Sequence, residues 1–133
     1  MQGRCLCNAV TVTTADHTDM DACHCGMCRR WGSGPLMSVR CGSDVQFGGT
    51  DKIATFRSSE WAERGFCSVC GTHLYYRLIP ANDFSLSMGL FQEGPEFVFR
   101  EEIFIDRKPR SYEFANATSK LTEAEVFAKY APG

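Results

Sequence analysis

Three thiols and an imidazole occupy the six positions CHCGMC, from Cys23 to Cys28. Side chains of this kind at this density cross-link, carry redox chemistry or hold a metal ion. The spacing disfavours cross-linking. One residue separates Cys23 from Cys25 and two separate Cys25 from Cys28, so a disulfide would have to leave a crowded loop. Metal coordination suits the same spacing, because a short loop can direct several sulfurs at one centre. The chain has eight cysteines in 133 residues. The others fall as CLC (Cys5, Cys7), CSVC (Cys67, Cys70) and a lone Cys41.

A structural zinc site takes four ligands in a tetrahedron, commonly as two pairs from separate parts of a fold. Cys5, Cys7, Cys67 and Cys70 make such a set, and Gly71 after the second pair allows a tight turn whose N–H groups can face the sulfurs. Cys23, Cys25 and Cys28 then form a three-thiolate set with an open fourth position, the arrangement that separates catalytic from structural zinc. Two zinc ions per chain are therefore expected. An open zinc can deprotonate an incoming thiol and hold its sulfur beside an electrophile, which points to carbon–sulfur chemistry with a small thiol such as glutathione.

Other readings stay open at this level. His24, Cys41 or His73 could close the fourth position. His24 lies between two ligands and is expected to point away from their metal, Cys41 suits a small buried apolar role, and His73 opens an alternating strand. Cys67 and Cys70 could be a redox dithiol, although no strand-to-helix context surrounds them. For substrate contact the first candidates are Arg29, Arg30 and Trp31, which follow the third cysteine directly: two guanidinium groups to pair with carboxylates and an indole to wall an apolar side. A solvated loop with a packed tryptophan is the plainer alternative. Arg57, Arg64 and Arg77 are weaker candidates, and Glu60 or Glu63 could shuttle a proton.

The rest of the chain bounds the setting. It opens MQGRCLCNAV without an apolar run of signal-peptide type, and nothing approaches the roughly 18 to 20 apolar residues of a transmembrane helix. A cytoplasmic protein with reduced thiols is expected, with no membrane association. Net charge is −2 with both signs interspersed, so no nucleic-acid partner is expected. A homo-oligomer is compatible with the sequence. The length and the 44% hydrophobic content fit a single domain over residues 1–133 with a modest core.

The elements that must position the cysteines read as short strands. Alternation appears at 9–14, 36–41, 53–57, 73–78 and 84–89, and FVFREEIFI at 97–105 is one strand or two. Glycines and prolines punctuate these runs as in an antiparallel all-β domain. One helix has a clear start signal, LTEAEVFAKY (121–130), in which Thr122 and Glu125 form a capping box. Val126, Phe127 and Tyr130 are expected to pack it on the sheet, and Pro132 and Gly133 to end the chain.

The segments GRCLCNAV, CHCGMCRRWGSGP, SSEWAERGFCSVCGTHLYYRL and EEIFIDRKPRSYEF, in this order over nearly the whole chain, are similar to the glutathione-dependent formaldehyde-activating enzyme family, also called the centromere-protein-V family. The resemblance implies a mainly β fold, the zinc-bound β-tent of short antiparallel strands, here with a C-terminal helix. It puts a structural zinc on Cys5, Cys7, Cys67 and Cys70 and a catalytic zinc on Cys23, Cys25 and Cys28. It further implies a carbon–sulfur lyase that joins formaldehyde to glutathione as S-hydroxymethylglutathione and runs the reverse. The CRRWGSGP segment departs from the family's namesake, which bears on the glutathione pocket more than on the zinc. A non-catalytic, zinc-stabilised binding module is the alternative from another class.

Overall fold

Backbone pairing divides the strands between two sheets. The computed structural model describes residues 1–130. Strands β1 (Gln2–Arg4), β2 (Thr11–Thr14) and β5 (Val45–Gly48) form a small antiparallel sheet in the order β1-β2-β5. The larger sheet uses β3 (Asp19–Cys23), β4 (Leu36–Gly42), β6 (Ile53–Arg57), β7 (Ala62–Cys67), β8 (His73–Leu78), β9 (Asp83–Ser87), β10 (Val98–Ile103) and β11 (Ser119–Leu121). Its order is β11-β10-β3-β4-β9-β8-β7-β6. Helix α1 spans Gly26–Gly32 and helix α2 spans Glu123–Tyr130.

The core lies between the sheets. In β2, Val12 and Thr14 are buried while Thr11 and Thr13 face solvent. Phe47 of the small sheet meets Tyr75 and Phe84 of the large one at ring separations of 5.4 and 5.6 Å. Fully buried Val39, Leu74 and Leu86 complete the packing, each contributing about 1.5–3 kcal/mol by leaving water. On β3, β4 and β9 the two faces have separate tasks. Met20, Val39, Cys41, Phe84 and Leu86 face the core, whereas Asp21, Cys23, Ser38, Arg40, Asp83 and Ser85 line a cavity on the other side. The period of two that builds a half-buried sheet thus also presents the site.

Several expectations need correction. The sheet is antiparallel except at one end, where β10 runs parallel to both β3 and β11. The stretch at 97–105 is a single strand, β10, ended by Phe104 in the left-handed region (φ 55°) and a 3-10 turn at Ile105–Arg107. CHCGMC is not one loop: Cys23 ends β3, and Cys28 lies on α1, a second helix that lacks the usual start signal because its N-cap is a cysteine. In α2 the capping box forms, with Thr122 N–H donating to Glu125 Oε1 at 3.1 Å and Glu125 N–H to Thr122 Oγ1 at 3.2 Å. Val126 is buried as expected, but Phe127 stays 48% exposed, its ring nearly perpendicular to that of Phe104 at 6.0 Å. Pro132 and Gly133 lie outside the described residues.

Candidate metal centres and active-site cavity

Cys5 and Cys7 follow β1, Cys67 ends β7, and Cys70 sits in the turn before β8. That turn closes because Gly71 adopts φ +79°, which lets its N–H donate to the Cys67 carbonyl at 2.8 Å. The four Sγ atoms lie within 4.8 Å of one another, with 3.7 Å from Cys5 to Cys7 and 3.8 Å from Cys7 to Cys67. The Val10 N–H donates to Cys5 Sγ at 3.3 Å, a bond that favours the thiolate. The hydroxyl of Thr72, followed by its backbone N–H, draws the Cys70 thiol down to about 5. Four thiols so arranged fit a tetrahedral metal ion of zinc type.

The second group is Cys23, Cys25 and Cys28, whose Sγ atoms also lie within 4.8 Å of one another. Cys25 caps α1: its Sγ accepts the Cys28 N–H at 3.3 Å. Arg64 is buried, and its Nη1 and Nη2 each donate to Cys28 Sγ at 3.5 Å. The guanidinium lies between the Trp31 and Tyr76 rings, 5.1 and 5.2 Å from their centroids. The crowded thiols cannot all ionise alike. Hydrogen bonding from Cys23 and Cys28, then the Cys28 N–H and the Arg64 charge, hold Cys25 far below the usual thiol value against the effect of burial, while the bonds to Cys25 and Cys28, then burial, push Cys23 up. A divalent ion would replace these shared protons, so this donor set fits a metal too.

Among the described residues no fourth His, Cys, Asp or Glu joins the three thiols. His24 is fully buried and turns away from them. Its Nε2 lies 2.9 Å from Glu102 Oε1 and its Nδ1 2.7 Å from the Tyr112 hydroxyl. Glu102 Oε2 accepts from Thr118 at 2.5 Å; burial raises the Glu102 pKa, but the bonds from Thr118 and His24 outweigh it and the net shift is down. Cys41 is a core residue whose thiol donates to the Val39 carbonyl, with burial raising its pKa to about 11. His73 stacks on Trp31 at 3.9 Å and 13°, and burial, then the Arg64 charge, lower its pKa.

The three-cysteine group forms part of the wall of a cavity of about 760 Å³. Arg29 and Arg64 also line it. Arg30 is exposed and Trp31 half-buried, and neither is part of the lining. Arg57 lies elsewhere, at the exposed end of β6, where it donates to the carbonyls of Ser59 and Glu60, and Arg77 pairs with Glu63 at 2.8 Å. Sequence reasoning missed Asp21, Ser38 and Tyr76 in the lining, and the Glu102, Thr118 and Tyr112 support of His24. Ser38 donates to Asp21 Oδ1 at 3.1 Å, and burial, opposed by that bond, raises Asp21 to about 6. Alternation about Cys23 could have placed Asp21 on its face of the strand. Glu102 and Tyr112 lie 78 and 88 residues from His24, where no local pattern reports.

Comparison with known proteins agrees with this geometry. The chain is 35% identical over 127 residues to a protein of Schizosaccharomyces pombe named an uncharacterized lyase, covering 94% of this chain and 93% of that one. A crystal structure of a Rhodobacter sphaeroides protein superposes with a TM-score of 0.60 at 20% identity, over 71% of this chain and 91% of that chain, a likeness of fold. Residues 1–107, which include both cysteine groups, match the family described as glutathione-dependent formaldehyde-activating enzyme, and the chain belongs to that family.

Proposed function

We propose that the protein is a zinc-dependent carbon–sulfur lyase-type enzyme, acting in one domain over residues 1–133 on adducts of a small glutathione-like thiol with a formaldehyde-like aldehyde. One observation carries this reading: Cys23, Cys25 and Cys28 converge in a cavity wall without a fourth protein ligand among the described residues. Those three would hold the reactive zinc, and Cys5, Cys7, Cys67 and Cys70 a structural one that ties the end of β1 to the end of β7. When bound, the metal supplies an open position at which a thiol loses its proton near neutral pH. A cytoplasmic setting follows from keeping these thiols reduced.

The chain's own residues then do the rest. The Cys28 N–H and the Arg64 guanidinium hold the sulfurs of Cys25 and Cys28 in place and offset their charge. Arg29, in the cavity wall, is placed to pair with a substrate carboxylate. The apolar residues of the lining, Leu36 and Ile103 on either side of Cys23 among them, would help hold carbonyl and sulfur in one orientation. In the forming direction the thiol sulfur bonds to the aldehyde carbon, the C=O π pair moves to oxygen, and the thiol's proton ends on that oxygen. The reverse breaks the C–S bond and returns thiol and aldehyde.

The test follows formaldehyde exchange with S-hydroxymethylglutathione by NMR, with wild type, Cys25→Ser and no protein in parallel. Wild type should exceed the spontaneous exchange, and Cys25→Ser should fall to it while keeping its fold. A wild-type rate equal to the spontaneous one with every small thiol tried, at full zinc occupancy, would sink the catalytic reading in favour of a binding module.

A further inference from the structure

The cavity beside the three cysteines is larger and more apolar than a one-carbon aldehyde needs. At about 760 Å³ it lies in the range of roughly 300–1,000 Å³ that encloses a drug-sized ligand. Leu36 and Ile103, the two strand neighbours of Cys23, line it beside the cysteines, and Leu78 from the sheet, Trp61 at an exposed turn, and Val126 and Phe127 from α2 supply further apolar wall. Three of the four arginines in the lining are already engaged through their charged ends. Arg40 binds Asp83 at 2.9 Å, Arg107 binds Glu123 at 2.9 Å and Arg64 binds Cys28, whereas Arg29 donates to the His24 carbonyl at 3.0 Å through Nε alone, which leaves its two terminal nitrogens for a substrate carboxylate. A charged peptide end laid against the apolar walls instead of Arg29 would lose its water with little in return. An alkyl or aryl group would gain about fourfold in affinity per methylene buried.

Resting on the carbon–sulfur reading above, we infer that the adduct handled at Cys23, Cys25 and Cys28 carries an apolar substituent of several carbons, which lies between Leu78 and the α2 face formed by Val126 and Phe127. The substituent can come from the aldehyde or from the thiol, since either puts carbon next to the same sulfur. If the thiol is glutathione-like, its charged ends point to the cavity mouth.

Non-exchanging thioethers test this without turnover. Calorimetry on the metal-loaded protein compares S-methyl-, S-butyl- and S-hexylglutathione, which model an apolar aldehyde, with hexyl methyl sulfide, which models an apolar thiol. Affinity should rise about fourfold per methylene in the glutathione series if the aldehyde is the source. Saturable binding of hexyl methyl sulfide with a flat glutathione series assigns the thiol instead. Phe127→Asp and Trp61→Ser change side chains that are 48% and 41% exposed, so both should fold, as circular dichroism will check, and both should flatten the rise. A flat series together with no binding of hexyl methyl sulfide overturns the inference, even where the formaldehyde exchange above is accelerated. A steep series without acceleration of any adduct leaves the apolar pocket standing and removes the catalytic reading instead.

Discussion

Replacing Arg64 with methionine should leave the fold standing while loosening the metal held by Cys23, Cys25 and Cys28. Arg64 is 3% exposed, and its guanidinium places two nitrogens 3.5 Å from Cys28 Sγ. For a thiolate at that distance the Coulomb attraction is about 5 kcal/mol at an effective dielectric near 20, much of it offset by the loss of water around both groups. The net value of a charge-assisted pair is about 1.5–3 kcal/mol, which corresponds to roughly 10- to 100-fold in metal affinity, the size found for partners just outside a coordination sphere. Stability should change by less than about 1 kcal/mol, because an unbranched thioether fills the slot between Trp31 and Tyr76 and because the buried Arg64 Nε, which has no hydrogen-bond partner, is removed as well. Arg64→Lys keeps the charge but loses the fork, and should fall between the two. Titration of the zinc-loaded protein with a chromophoric chelator resolves the two metal equivalents, and urea unfolding reports the fold. An unchanged weaker equivalent in Arg64→Met, or equal loosening of both, would refute the reasoning.

Three further outcomes are expected. A Cβ added at Gly65 would stand 2.3 Å from Tyr75 Cζ and 2.4 Å from its Cε2, so Gly65→Ala should lose about 1–3 kcal/mol in urea unfolding, and Tyr75→Leu in the same chain should recover part of it. Glu102→Ala leaves His24 and Thr118 without their buried partner and should cost about 1–3 kcal/mol for each, whereas Glu102→Gln, which keeps an acceptor toward His24, should cost less by the same measurement. Under graded chelator, native mass spectrometry should show the three-cysteine metal leaving first and the four-cysteine metal leaving with unfolding, since the latter joins distant segments; a single loss at the unfolding point would count against separate roles.

The cysteine grouping was legible because ligand spacing is a local property, and β6 and β8 fall at the expected bounds, β8 even though Tyr76 and Leu78 line the cavity. Two of the strands that escaped notice, β3 and β7, carry residues that serve the site. In β3 the acidic Asp19 and Asp21 mask a core face of Met20 and Ala22, because Asp21 looks into the cavity. In β7 the run Glu63, Arg64, Gly65 reads as a loop, yet Arg64 is buried to meet Cys28 and Gly65 lacks a side chain because the Tyr75 ring lies over it. Local rules fail where chemistry imposes a residue that the strand alone would not choose. The same holds for α1, where the N-cap carries a thiol and not a hydroxyl or carboxylate because that side chain has a second duty.

The parallel seam between β3 and β10 sets an order on biosynthesis. Cys23 pairs with Ile103, so the strand that carries the first of the three thiols has β4 on one side early but gains its other neighbour only after most of the chain has left the ribosome. Until then the nascent sheet holds an open edge at β3, with thiols at its end and the future cavity face bare. A chain stopped short of Val98 would keep that edge permanently. Self-association of such truncated chains, held back in the full-length protein by β10, is therefore the characteristic failure built into this topology.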